Sequence, residues 1–146
     1  MRCSVGQNWN GTTCTGTATQ HDWEDAKEIA SDKSFAGFSD WRLPTIKELS
    51  ALVYCSNGKQ RKFEVNGWET VKHEGSYGCG SDIRGSYKSP TINSKAFPNT
   101  PSDWFWSSSP YAHNSSNAWF VYFDVGTDSY DNRNNTIRVR LVRAGQ

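Results

Sequence analysis

The chain has 146 residues, long enough for one domain with a core of its own, and its apolar mass is aromatic, with seven Trp, seven Phe and six Tyr against a single Met. Its 16 basic and 15 acidic side chains leave a formal charge of +1, so no global field favours nucleic acid or an anionic membrane. No apolar run reaches the ~18 residues of a membrane span and the N-terminus has no apolar signal region, so export would need a leader outside this chain.

Residues 1–20 contain few helix formers and carry Asn10-Gly11, a tight-turn signal that predicts a β-hairpin. The four cysteines, Cys3, Cys14, Cys55 and Cys79, allow three disulfide pairings, and none has the C-x-x-C spacing of zinc or redox sites. Cys3–Cys14 and Cys55–Cys79 are favoured because each closes a local Gly-rich segment with few other means of staying ordered. Such bridges point to a secreted, periplasmic or cell-surface protein; four reduced thiols in a cytosolic one are the alternative.

A first helix is predicted over Asp22–Ser31, capped by Asp22, with Glu24 and Asp25 at its positive end and Trp23, Ala26, Ile29 and Ala30 inward. His21 precedes it in a loop role. Trp41 and Leu43 then alternate as in a short strand that Pro44 ends, and Thr45 with Glu48 forms a capping box opening a second helix with Ile46, Leu49, Leu52 and Val53 inward. Asp40 and Arg42 are expected to pair at this corner.

Residues 56–103 are irregular, with basic residues Lys59, Arg61 and Lys62, several Gly, and Pro90, Pro98 and Pro101; a strand or turn is expected around Phe63–Val71. A loop this long is usually functional or tied covalently, and Cys55–Cys79 would tie it. The span 104–143 supplies the sheet and the binding loops. Within it Trp119, Val121, Phe123 and Val125 fall on one side of an extended chain, and Phe120, Tyr122 and Asp124 on the other. The first set is expected to face the core and the second a ligand. A last strand is predicted over Thr136–Val142, with Ile137, Val139 and Leu141 inward and Arg138 and Arg140 pairing structurally on the other face.

From Tyr111 to Asn135, 16 of 25 residues are Asn, Ser, Tyr, Asp, His or Thr. Tyrosines and phenylalanines give rigid contact area at low entropy cost and the small polar residues give adaptable hydrogen bonds, as in antibody loops. The candidate ligand-binding residues are therefore Tyr111, His113, Asn114, Ser115, Ser116, Asn117, Phe120, Tyr122, Asp124, Thr127, Asp128, Ser129, Tyr130, Asp131, Asn132, Arg133, Asn134 and Asn135. Asp124, Asp128 and Asp131, with Asn132 and Asn134, are hard oxygen donors in one hairpin, but their spacing is not an EF-hand and turn formation is the better reading. No metal or cofactor is expected.

Gly37-Phe-Ser-Asp-Trp-Arg-Leu-Pro-Thr-x-x-Glu-Leu49, Trp106-Ser-Ser-Ser109, Ala118-Trp119 and Val139-Arg-Leu-Val-Arg143, in this order across nearly the whole chain, resemble the bacterial domain at the C-terminus of the Legionella collagen-like adhesin. That family is similar to C-type lectins and to the formylglycine-generating (sulfatase-modifying) domain. The resemblance implies an α+β, loop-rich, C-type-lectin-like fold, two helices packed on a twisted antiparallel sheet whose C-terminal loops form the ligand face. The same broad fold serves the variable proteins of diversity-generating retroelements. Adenine-directed rewriting there would enrich the residue types seen at His113–Asn117, Phe120, Tyr122, Asp124 and Thr127–Asn135, between framework positions Pro110, Ala118, Trp119, Val121, Phe123 and Gly126.

The formylglycine activity does not carry over, because Leu141 lies in the matching motif with no cysteine near it. No G-x-S-x-G elbow, H-E-x-x-H helix or phosphate loop occurs, and His21, His73 and His113 are isolated. The expected function is a non-enzymatic binding or adhesion module for a protein or glycan, with no nucleic acid and no membrane insertion; self-association stays open. The alternative is a sulfated-glycan adhesin using the basic segments 59–62 and 84–88, and the lesser one an enzyme related to sulfatase-modifying factors.

Overall fold

Two helices and nine strands form among the residues that the computed structural model describes, 1–32, 34–58, 63–66, 70–73, 78–80 and 87–144, with backbone alone described for 63–66 and 70–73. The N-terminal hairpin pairs β1 (Asn8–Trp9) with β2 (Cys14–Thr15), and the Asn10 carboxamide holds its turn by accepting the Thr12 and Thr13 amides at 2.9 Å each. Cys3 bridges to Cys14 and Cys55 to Cys79, the pairing favoured by the local spacing.

The short strand β3 (Gln20–His21) leads into helix α1 (Trp23–Asp32), whose start is fixed by the Asp25 amide donating to the Asp22 side chain at 2.9 Å. Trp23, Ala26 and Ala30 are buried at helical spacing, with Ile29 packed beside them. Helix α2 (Ile46–Ser50) opens on the predicted capping box, and both of its hydrogen bonds are present. Leu52 and Val53 pack just beyond its end rather than within it.

Strands β4 (Phe63–Asn66) and β5 (Thr70–His73) make a separate antiparallel pair where a single strand or turn was expected. The main sheet adds β6 (Trp104–Pro110), β7 (Asn117–Tyr122), β8 (Thr127–Asn132) and β9 (Ile137–Arg138), in the order β3-β9-β6-β7-β8. Its pairs are antiparallel except β6 with β9, which is parallel.

The sheet separates two cores. Trp106, Ala118, Phe120, Ile137, Val139 and Leu141 pack with α1, Trp41 and Leu43; Phe105, Trp119, Val121 and Phe123 pack with Ile46, Leu49 and Ile92. This corrects the expectation of one core face on β7. A helix lies on each side of the sheet, so alternate residues of Ala118–Val121 enter different cores and the central strand reads as an unbroken apolar run.

The serine run after Trp106 ties the layers together. A register shift lies between Trp106 and Pro110, and there the Ser107 carbonyl accepts the Trp23 indole N–H at 2.8 Å while the Ser109 hydroxyl accepts the Ile46 amide at 2.9 Å. One β-bulge therefore positions both helices.

Two other expectations change. Arg42 does not pair with Asp40: its guanidinium donates to both Glu48 oxygens at 2.7 Å, and Asp40 takes Arg143 at 3.0 Å. The last strand is shorter than predicted, because beyond Arg138 the chain turns its backbone to other segments. Val139 accepts the Val5 amide and Val142 exchanges bonds with Arg42. Arg140, 1% exposed, donates to the carbonyls of Met1 and Arg2 and to the hydroxyls of Ser4 and Thr100; burial pulls its pKa down to about 10, so it stays charged at neutral pH.

Candidate functional site

Strand β8 is the edge of the main sheet, and its alternation decides what each face of the β7–β8 pair presents. On the α2 side Trp119 lies opposite Tyr130, and on the α1 side Phe120 and Tyr122 lie opposite Ser129 and Thr127. The candidate residues are thus divided between two surfaces.

On the first surface the Tyr111 and Tyr130 rings stack in parallel, 3.8 Å apart and 10° from coplanar. Trp119 meets both edge-on, at 5.4 Å and 5.7 Å, and His113 meets Tyr111 at 5.5 Å. Trp119 is buried while Tyr130 is 44% exposed, so a core residue fixes the position of a ring that solvent reaches. The hydrogen bond with Tyr130 raises the Tyr111 phenol above its ordinary pKa.

The second surface is a hollow of about 320 Å³ lined by Trp104, Phe120, Tyr122 and residues 127–131. Phe120 stacks on Trp104 at 4.7 Å and is only 5% exposed, which corrects its assignment to an outward face: it belongs to the α1-side core and offers the hollow a floor. Tyr122 is half-buried, and its hydroxyl donates to Asp124 at 3.2 Å. Trp104, absent from the residues singled out by sequence, forms a wall; its place opposite Tyr122 on β6 comes from strand register alone.

The two polar loops meet at one end of the sheet. Arg133 donates its amide to Ser116 and its side chain to the Asn117 carbonyl at 3.3 Å, and its guanidinium lies 4.2 Å over the Trp23 ring. Asn114 and Asn132 spend their carboxamide oxygens on the Ser116 and Asn134 amides, and Asp131 accepts from Asn132 and Asn135. These are turn-forming bonds, and His113, Asn114, Ser115, Ser116, Asn134 and Asn135 stay exposed around them.

Asp124 lies at the opposite end of the hairpin from these loops. It accepts the Ser89 hydroxyl at 2.7 Å, beside a larger hollow of about 750 Å³ that Tyr54, Tyr87, Lys88, Asn93 and Lys95 help to line. Of the basic segments expected to serve a sulfated glycan, Lys88 lies here; 59–62 and 84–86 fall outside the described residues. Tyr54 and Lys95 carried no periodic signal in the sequence. Asp128 and Asp131 face opposite sides of β8, and among the described residues no three His, Cys, Asp or Glu side chains gather to hold a metal ion.

The family of the Lcl C-terminal domain matches residues 1–143. The chain belongs to that family. No curated protein and no solved structure matches it. In this Lcl C-terminal domain the resembling motifs are structural: Trp41 and Leu43 are core, Thr45 and Glu48 cap α2, the serine run joins the layers, and the terminal Val139–Arg143 stretch binds the N-terminal and 40–42 segments.

Proposed function

We propose that this Lcl C-terminal domain is a non-enzymatic, extracellular binding module of the adhesion kind, engaging a protein or glycan through the Tyr111–Tyr130 platform and the loops beside it. The observation that carries the reading is the parallel Tyr pair propped on buried Trp119, because an exposed ring that is already immobile binds without a large ordering cost. Family membership and the two disulfides support an adhesive role outside the cytosol. A C-type-lectin-like fold is part of the same reading, supported by the α+β plan with its ligand face in the C-terminal strands and loops.

The burial pattern also suits a retroelement variable protein. Framework positions Ala118, Trp119, Val121, Phe123 and Gly126 are buried, whereas most positions between them are exposed or half-buried; Phe120 and the exposed Pro110 depart from the pattern. A template repeat differing from this gene at adenines would support diversification, and its absence beside a sequenced locus would count against it.

A second reading, sulfated-glycan binding, is favoured by the larger hollow, where Lys88 and Lys95 stand with Tyr54 and Tyr87. The test covers both. On arrays of glycans and of surface proteins, Tyr130→Ala should weaken the leading hit by about 2 kcal/mol, roughly 30-fold, with melting unchanged within a few degrees. A hit that ignores Tyr130→Ala but is lost in Lys88→Ala/Lys95→Ala and in high salt transfers the function to the second hollow. Hits that ignore both variants would sink both readings.

A further inference from the structure

We infer that the hollow over Trp104, Phe120 and Tyr122 is a second site, and that it takes a cationic side chain, lysine or arginine, of a protein partner. It shares β8 with the tyrosine platform, whose rings face the other side of the sheet: Tyr130 borders the hollow, whereas Tyr111 does not.

Three rings form its apolar part. Trp104 and Phe120 are stacked 15° from parallel, and Tyr122 meets Trp104 nearly at right angles, 6.0 Å between centroids. An indole and a phenol bordering one depression offer π-electron density that attracts ammonium and guanidinium groups, indole most strongly. The volume, about 320 Å³, is at the small end of ligand pockets and admits one long side chain.

The rim is made of oxygen. Register puts Thr127, Ser129 and Asp131 of β8 on the same face as Tyr122, Phe120 and Ala118, so two hydroxyls and a carboxylate border the rings. The donors on Asp131, the Asn132 amide and the Asn135 carboxamide at 2.8 Å each, are neutral, so they orient this half-buried carboxylate without cancelling its charge. Nearby described cations are held elsewhere. Lys27 and Arg133 lie over Trp23, Arg138 pairs with Asp103, and Arg140 sits by Phe97 and Phe105 beneath the other face. An anionic ligand would meet the Asp131 charge, and a purely apolar one would leave the oxygen rim without donors. A cation with N–H donors satisfies both parts.

The probes are the Nα-acetyl amides of arginine and lysine, with the citrulline amide as a neutral isostere, titrated against the intact domain and followed by Trp104 indole and backbone amide NMR shifts. The arginine or lysine probe should shift Trp104 and β8 saturably, the citrulline probe should bind about tenfold more weakly or worse, and added salt should weaken binding. Asp131→Asn should cost about fivefold in affinity, while Tyr111→Ala, which breaks the platform from outside the lining of the hollow, should leave it unchanged. Equal binding of arginine and citrulline, shifts that map away from Trp104, or no saturable shift with millimolar probe would each overturn the proposal. Loss of array hits in Tyr111→Ala with cation binding intact would separate this site from the platform.

Discussion

Glu48 is held by three donors, two from the Arg42 guanidinium at 2.7 Å and the Thr45 amide at 2.8 Å. The Arg42 hydrogen bonds, more than the nearby Thr45 groups, lower its pKa from 4.5 to about 2. A depressed acid contributes stability above its unfolded pKa and loses it as pH falls through the folded one. Both side chains are more than a third exposed, so solvent limits the gain to about 1 kcal/mol or less. Glu48→Gln should therefore lower Tm at pH 6, and the gap to the parent should shrink between pH 4.5 and about 2; a gap constant across that window would contradict the assignment. At this scale the sequence was legible where spacing defines the contact, as in the Thr45–Glu48 capping box. It was illegible where tertiary geometry chooses the partner: Asp40 bonds an arginine 103 residues away although Arg42 stands beside it in sequence.

Strand β7 shows what hydrophobic alternation can and cannot tell. Its period of two correctly separates Trp119 and Val121 from Phe120 and Tyr122, yet alternation names faces without saying what covers them. With α1 on one side and α2 on the other, Phe120 is as buried as its neighbours. The turn after β7 adds a constraint that composition conceals. Gly78 has φ +70°, and a Cβ there would lie 1.8 Å from the Val125 carbonyl oxygen, which accepts the Cys79 amide. Gly78→Ala must move backbone as well as adopt a left-handed conformation, so it should cost at least ~2 kcal/mol in urea unfolding. A loss under ~0.5 kcal/mol would mean that the 78–80 segment does not pack on this turn in solution. Among the many glycines of a loop-rich sequence, only this close approach distinguishes Gly78 from an ordinary turn residue.

At the scale of the molecule the bridges close loops of different length, with separations of 11 for Cys3–Cys14 and 24 for Cys55–Cys79. Loop-closure entropy makes the longer bridge worth about 0.7 kcal/mol more, on a base of ~2–4 kcal/mol for each. Cys55→Ser/Cys79→Ser should accordingly unfold at lower denaturant than Cys3→Ser/Cys14→Ser, and the reverse order would show that unfolded-state entropy does not dominate. The pairing was legible because local Gly-rich segments have few other ties. The α+β plan was implied by the family resemblance, with which two capped helices and several short strands agree, whereas the division of the candidate residues between two faces and two ends of a hairpin needed the strand register.

The Arg140 clamp has a mechanical consequence. Its bonds to Met1, Arg2 and Ser4, with Val5 donating to Val139, bind the start of the chain to its last segment. Tension between the two ends would load this knot in the body of the domain, leaving β7 and β8 outside the line of force. The tyrosine platform and the aromatic hollow can then keep their shape under a pull until the knot itself gives way.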